Sequence, residues 1–219
     1  MGSRFSASTL LFLSLCALAP LKPQYGPGPV FPPGPVTLEK YGFAFDVPAG
    51  HVAEKAPDID EYWIGPRSGG IALTVKVDSY PFQFKGPLPN PTDTLLSYVK
   101  DNFGRECGGV GPGSFQRADR LLSMRRFRSR RGLEAIEFNI HVLHESSRGA
   151  YQRGQSLPSQ EIKVDSLQWV TGPMIVVDVS RPGKRIVVWV ASECDSRITP
   201  DDVPTARATR AVASSIRLH

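Results

Sequence analysis

Cysteine is scarce in this 219-residue chain: three residues in all, at Cys16, Cys107 and Cys194. None belongs to a C-x-x-C pair, so neither a dithiol redox centre nor a cysteine-ligated zinc site has its ligands. Histidine is nearly as rare, with four residues. Of these, His141 and His144 lie three apart on a predicted strand and so point to opposite faces, which prevents them from sharing a metal. No G-x-S-x-G, H-E-x-x-H or Walker pattern occurs. The glycines of the run from Gly108 to Ser114 miss the G-x-G-x-x-G spacing, and no lysine or helix start follows to cradle a phosphate. Asp58, Asp60 and Glu61 lack the glycine and distal glutamate of a calcium loop. No catalytic, cofactor-binding or metal residue is assigned, and no cofactor is expected.

Long apolar runs are also missing. The longest near the N-terminus, Leu10 to Leu15, is too short to span a bilayer stably. With Arg4 before it and Ala17-Leu18-Ala19 behind it, it has the layout of a secretory signal peptide over residues 1–19. Two processing readings stand side by side. Ala17-Leu18-Ala19 is an A-x-A cleavage site, although Pro20 follows it directly. Leu13-Ser14-Leu15-Cys16 resembles a bacterial lipobox, in which Cys16 would carry a lipid. Either reading predicts export to a periplasmic or extracellular space, with a lipid anchor in the second. The remaining cysteines, Cys107 and Cys194, make an even pair, and an exported chain predicts a disulfide between them. Such a bridge would close a long loop, worth about 4 kcal/mol by chain entropy.

What the chain has in quantity is proline and arginine. Residues 20–35 hold seven of the 20 prolines and three glycines, a composition that builds extended polyproline-like spacer and no core. This predicts a tether, with one folded domain over residues 36–219. Within it, Met174 to Ala191 reads as two β-branched runs around Arg181-Pro182-Gly183-Lys184, a hairpin turn by its Pro-Gly pair. Ile186 to Ala191 is apolar enough to be buried on both faces and is placed at the centre of a sheet. Alternation predicts further strands at Phe43 to Val47, Glu61 to Ile64, Ile71 to Asp78, Arg120 to Arg128, Leu133 to His144 and Ile162 to Val170. Leu95, Leu96, Val99 and Phe103 form the stripe of a helix that starts at Thr92 and stops at Gly104. Thr199-Pro200-Asp201-Asp202 has the form of a helix start, with the longer piece running from Thr205 to Ser215. The sum is an α+β domain: an antiparallel sheet of about seven strands with helices packed on it.

The stretch Tyr41-Gly42-Phe43-Ala44-Phe45-Asp46-Val47-Pro48-Ala49-Gly50 resembles the G-F-x-F-x-x-P-x-G opening of PsbP/Mog-like domains. The order that follows is similar too: early strands, one helix, a strand meander, and a last helix running into Ala213-Ser214-Ser215-Ile216-Arg217-Leu218. The resemblance spans roughly residues 37–218. It implies an α/β/α sandwich serving as a binding or assembly module in exported proteins, and it carries no catalytic motif.

The net charge is +5, and arginine supplies 18 of the 26 basic residues. Seven fall between Arg117 and Arg131, and guanidinium forks suit carboxylate and phosphate. Arg125, Arg126, Arg128, Arg130 and Arg131, on two strands and their turn, are the candidate contact for an anionic partner; a plain solvated basic edge is the alternative. A nucleic acid fits poorly, because Phe127 is the single aromatic there and the chain is read as exported. The reading is an exported, non-enzymatic binding or assembly module whose partner is a protein or an anionic component of the envelope. Its rival is an envelope enzyme with a site built from scattered polar residues around His51, His141 or Asp178.

Overall fold

The computed structural model describes residues 28–57, 59–70, 72–79, 91–104, 107, 109–111, 114–148, 163–182, 184–194 and 199–219. In chain order these form β1 (Val30–Phe31), β2 (Gly34–Leu38), β3 (Phe43–Val47), β4 (His51–Lys55), β5 (Glu61–Pro66), β6 (Leu73–Ser79), α1 (Pro91–Asn102) and β7 (Gly109–Gly111). They continue as β8 (Ser114–Arg128), β9 (Glu134–Arg148), β10 (Lys163–Asp178), β11 (Ile186–Ser192), α2 (Val203–Ser215) and β12 (Arg217–Leu218). Every strand pairing is antiparallel. Nine strands make the main sheet in the order β1-β4-β5-β6-β11-β10-β9-β8-β7, and a second sheet runs β12-β3-β2.

The strand β11 stands fifth of the nine, and all seven of its residues are buried. Its alternation explains both cores. Ile186, Val188 and Val190 face the small sheet and α2, where they meet Phe43, Phe45, Val212 and Ile216. Val187, Trp189 and Ala191 face α1, where Leu95, Tyr98 and Val99 cover them. A strand covered on both faces needs the continuous apolar run that the sequence shows there. Each helix therefore has its own side of the sheet. Because α2 shares its side with three strands, the architecture is sheet-dominated and meets the expected α/β/α sandwich only in this outline.

The strands depart from expectation in three places. His51 to Lys55, for which no strand is expected, pairs along its length with β5. Val30–Phe31 and Gly34–Leu38 lie in or across the stretch expected as tether, yet pair with β4 and β3. Proline is tolerated there because these are edge strands, whose outward N–H groups need no partner. Gly172-Pro173, which reads as a strand end, is instead a bulge with a cis peptide inside the 16-residue β10.

The start of α2 also differs from expectation. Its N-cap is Asp202, whose carboxylate accepts from Thr205 N at 3.4 Å and from the Thr205 hydroxyl at 3.0 Å. Thr199 was the expected cap. Pro204 is accommodated in the first turn because its missing N–H would have had no helical partner.

Candidate functional site

The turn between β8 and β9 is built around Ser129. Ser129 N donates to Leu133 O at 2.8 Å and Gly132 N donates to Ser129 O at 2.9 Å. The buried Ser129 hydroxyl accepts from the backbone N–H groups of Arg131 and Leu133, at 3.3 and 3.2 Å. Gly132 takes a positive φ of 80° to close the loop. With its backbone so occupied, the turn presents the Arg130 and Arg131 side chains outward.

These two meet a second pair from α2. Arg207 and Arg210, spaced i and i+3, share the exposed stripe opposite the buried Thr205, Ala208, Thr209 and Val212. Together with Ser214, Ser215 and Asp46, the four arginines line a groove of about 550 Å³. Asp46 is held by Arg217 at 2.8 Å and Arg210 is held by Glu137 at 2.7 Å. Arg130, Arg131 and Arg207 have no acidic partner among the described residues. Three free guanidinium groups around one groove form a concentrated anion-attracting field.

The five arginines singled out from sequence do not lie on one surface. Arg125 is on the α2 face, where its Nη2 lies 2.9 Å from Glu137. Arg126 turns the other way, beside Leu95 of α1, and Arg128 pairs there with Glu134 at 2.7 Å. Only Arg130 and Arg131 reach the groove. Arg207 and Arg210 were not found from sequence; their signal was the A-R-A-T-R-A repeat on the polar stripe of α2, whose nearness to the β8–β9 turn is a tertiary fact.

The histidines and Asp178, around which an enzyme site would have to gather, lie apart. His51 Nδ1 sits 3.2 Å from Ala49 O. His141 Nδ1 is 3.3 Å from the Asp119 carboxylate on the α2 face, whereas the His144 ring is against Trp169, with centroids 6.2 Å apart. Asp178 accepts from Ser180 N at 2.8 Å and so caps its own turn. No cluster of three metal-ligating side chains occurs among the described residues.

Asp60 is engaged by neighbouring side chains. It accepts from Lys40 Nζ at 2.9 Å and from the Tyr41 hydroxyl. Burial pushes its carboxyl up, but the bonds from Tyr41 and Lys40 outweigh that and hold it below the usual aspartate range. Burial and the bond to Asp60 push the Tyr41 hydroxyl up in turn. Glu61 accepts from Trp63 Nε1 at 2.7 Å. Asp58, the third member of that acidic trio, lies outside the described residues, as do the Gly108, Pro112 and Gly113 positions of the glycine run and Cys16 with the whole of residues 1–27.

Cys107 and Cys194 form the expected disulfide, with Cα atoms 5.4 Å apart across a sequence separation of 87. It pins the segment after α1 to the end of β11. Such a bond fits an oxidising compartment.

No family model matches the chain, and no curated protein matches it. Among solved structures it is similar to the cyanobacterial PsbP (CyanoP) of Synechocystis sp. PCC 6803, at 14% identity and a TM-score of 0.43, over 92% of this chain and 100% of that one. That protein bears the family name suggested by the Tyr41 to Gly50 motif.

Proposed function

We propose that this chain is an exported, non-catalytic binding module that takes an anionic group of its partner in the groove formed by Arg130, Arg131, Arg207 and Arg210. The observation that carries this reading is the convergence, from two separate elements, of three guanidinium groups without an acidic partner among the described residues on one groove of about 550 Å³. Forked donors of this kind suit carboxylate and phosphate through paired hydrogen bonds. Ser214 adds a hydroxyl on the same wall. The partner is a protein or an anionic component of the envelope. The signal-like N-terminus, the proline-rich spacer and the disulfide agree with a module held outside the cytoplasm, through a lipid on Cys16 or free after cleavage at Ala19.

Two variants of equal charge change test it. Arg130→Glu/Arg131→Glu removes the groove pair, while Arg126→Glu/Arg128→Glu alters the opposite face by the same net charge. Salt elution from an immobilised carboxylate and phosphate polyanion separates them. The groove reading expects the first variant to elute at clearly lower salt than the second. Equal elution would mean that net charge alone is sensed, and the groove would not be a site.

A further inference from the structure

The arginine groove is not uniformly basic along its length. One stripe of α2 runs through its wall, as Arg207, Arg210, Ala211 and Ser214 at i, i+3, i+4 and i+7. Arg207 and Ser214 therefore stand two helical turns apart, roughly 10 Å along the axis. At the Ser214 end the wall changes character, because Asp46 of β3 is fastened there. Asp46 N donates to Ser215 Oγ at 2.8 Å. Arg217 Nη1 donates to Asp46 Oδ1 at 2.8 Å and to Ser215 O at 3.1 Å.

These bonds leave a defined set of groups lining the groove. Arg217 answers the Asp46 charge through Oδ1, and Oδ2 accepts no bond from any described residue. The Asp46 side chain is 46% exposed, so the carboxylate is open to solvent. The Ser214 hydroxyl has no partner among the described residues. Arg210 is held by Glu137, so the uncompensated positive charge of the groove belongs to Arg130, Arg131 and Arg207.

Resting on the reading of the groove as an anion site, we infer that its ligand is a phosphate monoester carried on a hydroxyl-bearing body, a phosphorylated polyol. Near neutral pH a phosphate monoester carries a charge of about −1.5 to −2 and three acceptor oxygens. A carboxylate offers a single charge and two oxygens. Three uncompensated guanidinium groups match the phosphate better. At the Ser214 end a second anionic group would meet Asp46, which disfavours a chain of closely repeated acids. A hydroxyl there donates to Asp46 Oδ2 and exchanges a hydrogen bond with Ser214. An ammonium is not required, because Arg217 already compensates the carboxylate. The volume of about 550 Å³ is in the range of small-ligand sites. Bonds that fix Asp46 in advance lower the ordering cost of binding.

The test is calorimetric titration of the full chain with myo-inositol 4-phosphate, inorganic phosphate, glucuronate and O-phosphoethanolamine. The inositol phosphate is expected to bind saturably and at least tenfold tighter than each of the other three. Arg130→Glu/Arg131→Glu should abolish binding of both the ester and inorganic phosphate. Asp46→Asn keeps an acceptor for Arg217 but turns the second oxygen into a donor. It should narrow the gap between ester and inorganic phosphate at least threefold, weakening the ester while inorganic phosphate binds as tightly or tighter. Ser214→Ala should narrow the gap in the same sense without touching the Asp46–Arg217 pair. Phosphatidylcholine vesicles doped with phosphatidylinositol 4-phosphate present the same group on a lipid. Tighter binding to them than to the free ester identifies a headgroup as the source, and equal or weaker binding a soluble ester. Inorganic phosphate bound as tightly as the ester, with both lost in the arginine variant, would overturn the polyol assignment and leave the anion groove standing. Tighter binding of glucuronate or phosphoethanolamine, or a gap unchanged in both Asp46→Asn and Ser214→Ala, would do the same. Failure of every anion to bind, or binding unaltered by the arginine variant, would overturn the groove as well.

Discussion

Arg210 on α2 grips the Glu137 carboxylate of β9 through both oxygens, with Nη2 2.7 Å from Oε1 and Nε 3.2 Å from each oxygen. Arg125 of β8 approaches the same carboxylate from the side, at 2.9 Å. One largely buried acid thus ties a helix to two strands, and it also fixes one wall of the arginine groove.

The Glu137 side chain is only 12% exposed. Burial pushes its carboxyl up, but the hydrogen bonds and charges of Arg210 and Arg125 outweigh burial and hold it below the usual glutamate range. A carboxyl whose folded-state pKa is depressed contributes stability above its unfolded value, near 4.3, and loses it as pH falls through the folded value. Glu137→Gln is therefore expected to lower stability at pH 7 by about 2 kcal/mol. The difference between variant and wild type should shrink steadily as pH falls from 5 toward 3. Urea unfolding across that range checks both the sign and the window; a constant difference at all pH values would show that charge is not what Glu137 contributes.

Gly172, inside the bulge of β10, has a φ of 144°, a conformation that L side chains rarely adopt. A Cβ there would also meet the side chain of Asn139 on β9 and stand 3.2 Å from the Asn139 Cα. Strain and contact both act against substitution, so Gly172→Ala is expected to cost about 1–3 kcal/mol. Because β9 and β10 bear much of the main sheet, the loss should appear as a lower urea midpoint with an unchanged slope. A shift of less than a few tenths of a kcal/mol would show that the bulge relaxes.

The parts of this fold that could be read in the sequence are those with a period. Ile186 to Ala191 announces a strand buried on both faces, and Phe43 to Val47 falls within its observed bounds, because local pattern and burial agree there. Cys107 and Cys194 could be paired by counting. The misreadings occur where a local signal was overruled by a tertiary partner. Pro35 looks like spacer, yet it lies opposite Asp46 on β3. Gly172-Pro173 looks like a strand end, yet the strands on either side are continuous because β9 spans the bulge. The groove was half legible: Arg130 and Arg131 stood out as a run, but pairing them with Arg207 and Arg210 requires knowing that α2 lies beside the β8–β9 turn. Residues adjacent in sequence mislead in the opposite direction, since Arg125 and Arg126 point to opposite faces of one strand.

The disulfide closes a loop across 87 positions, between the segment after α1 and the end of the central strand. Chain entropy then makes it a restraint mainly on the unfolded state. Since Cys107 is buried at 2% exposure, alanine is the suitable replacement, because it adds no hydroxyl to the core. Cys107→Ala/Cys194→Ala is expected to lose about 2–4 kcal/mol and to unfold at the same urea concentration with or without reductant. Wild-type protein should show a lower midpoint when reductant is added. Coincident wild-type curves in the two conditions would mean that the bridge contributes nothing to stability.

The centre of the sheet also carries a polar chain. Trp189 Nε1 donates to Tyr98 Oη at 2.8 Å, and the Tyr98 hydroxyl donates to Asp78 at 2.6 Å. This links β11, α1 and β6 through one phenol. Trp189 is 1% exposed, so its N–H has no route to water once that acceptor is lost. Tyr98→Phe keeps the ring contact, whose centroids stand 6.0 Å apart, and deletes only the oxygen. The expected loss is about 1–3 kcal/mol, the cost of an orphaned buried donor, together with a shift of the Trp189 indole proton resonance. Asp78→Asn separates the two halves of the chain: if the phenol couples them, the double variant Tyr98→Phe/Asp78→Asn should lose less than the sum of the single changes. Additive losses would show that Tyr98 serves Trp189 alone, and an unchanged stability in Tyr98→Phe would show that the indole finds another acceptor when α1 shifts.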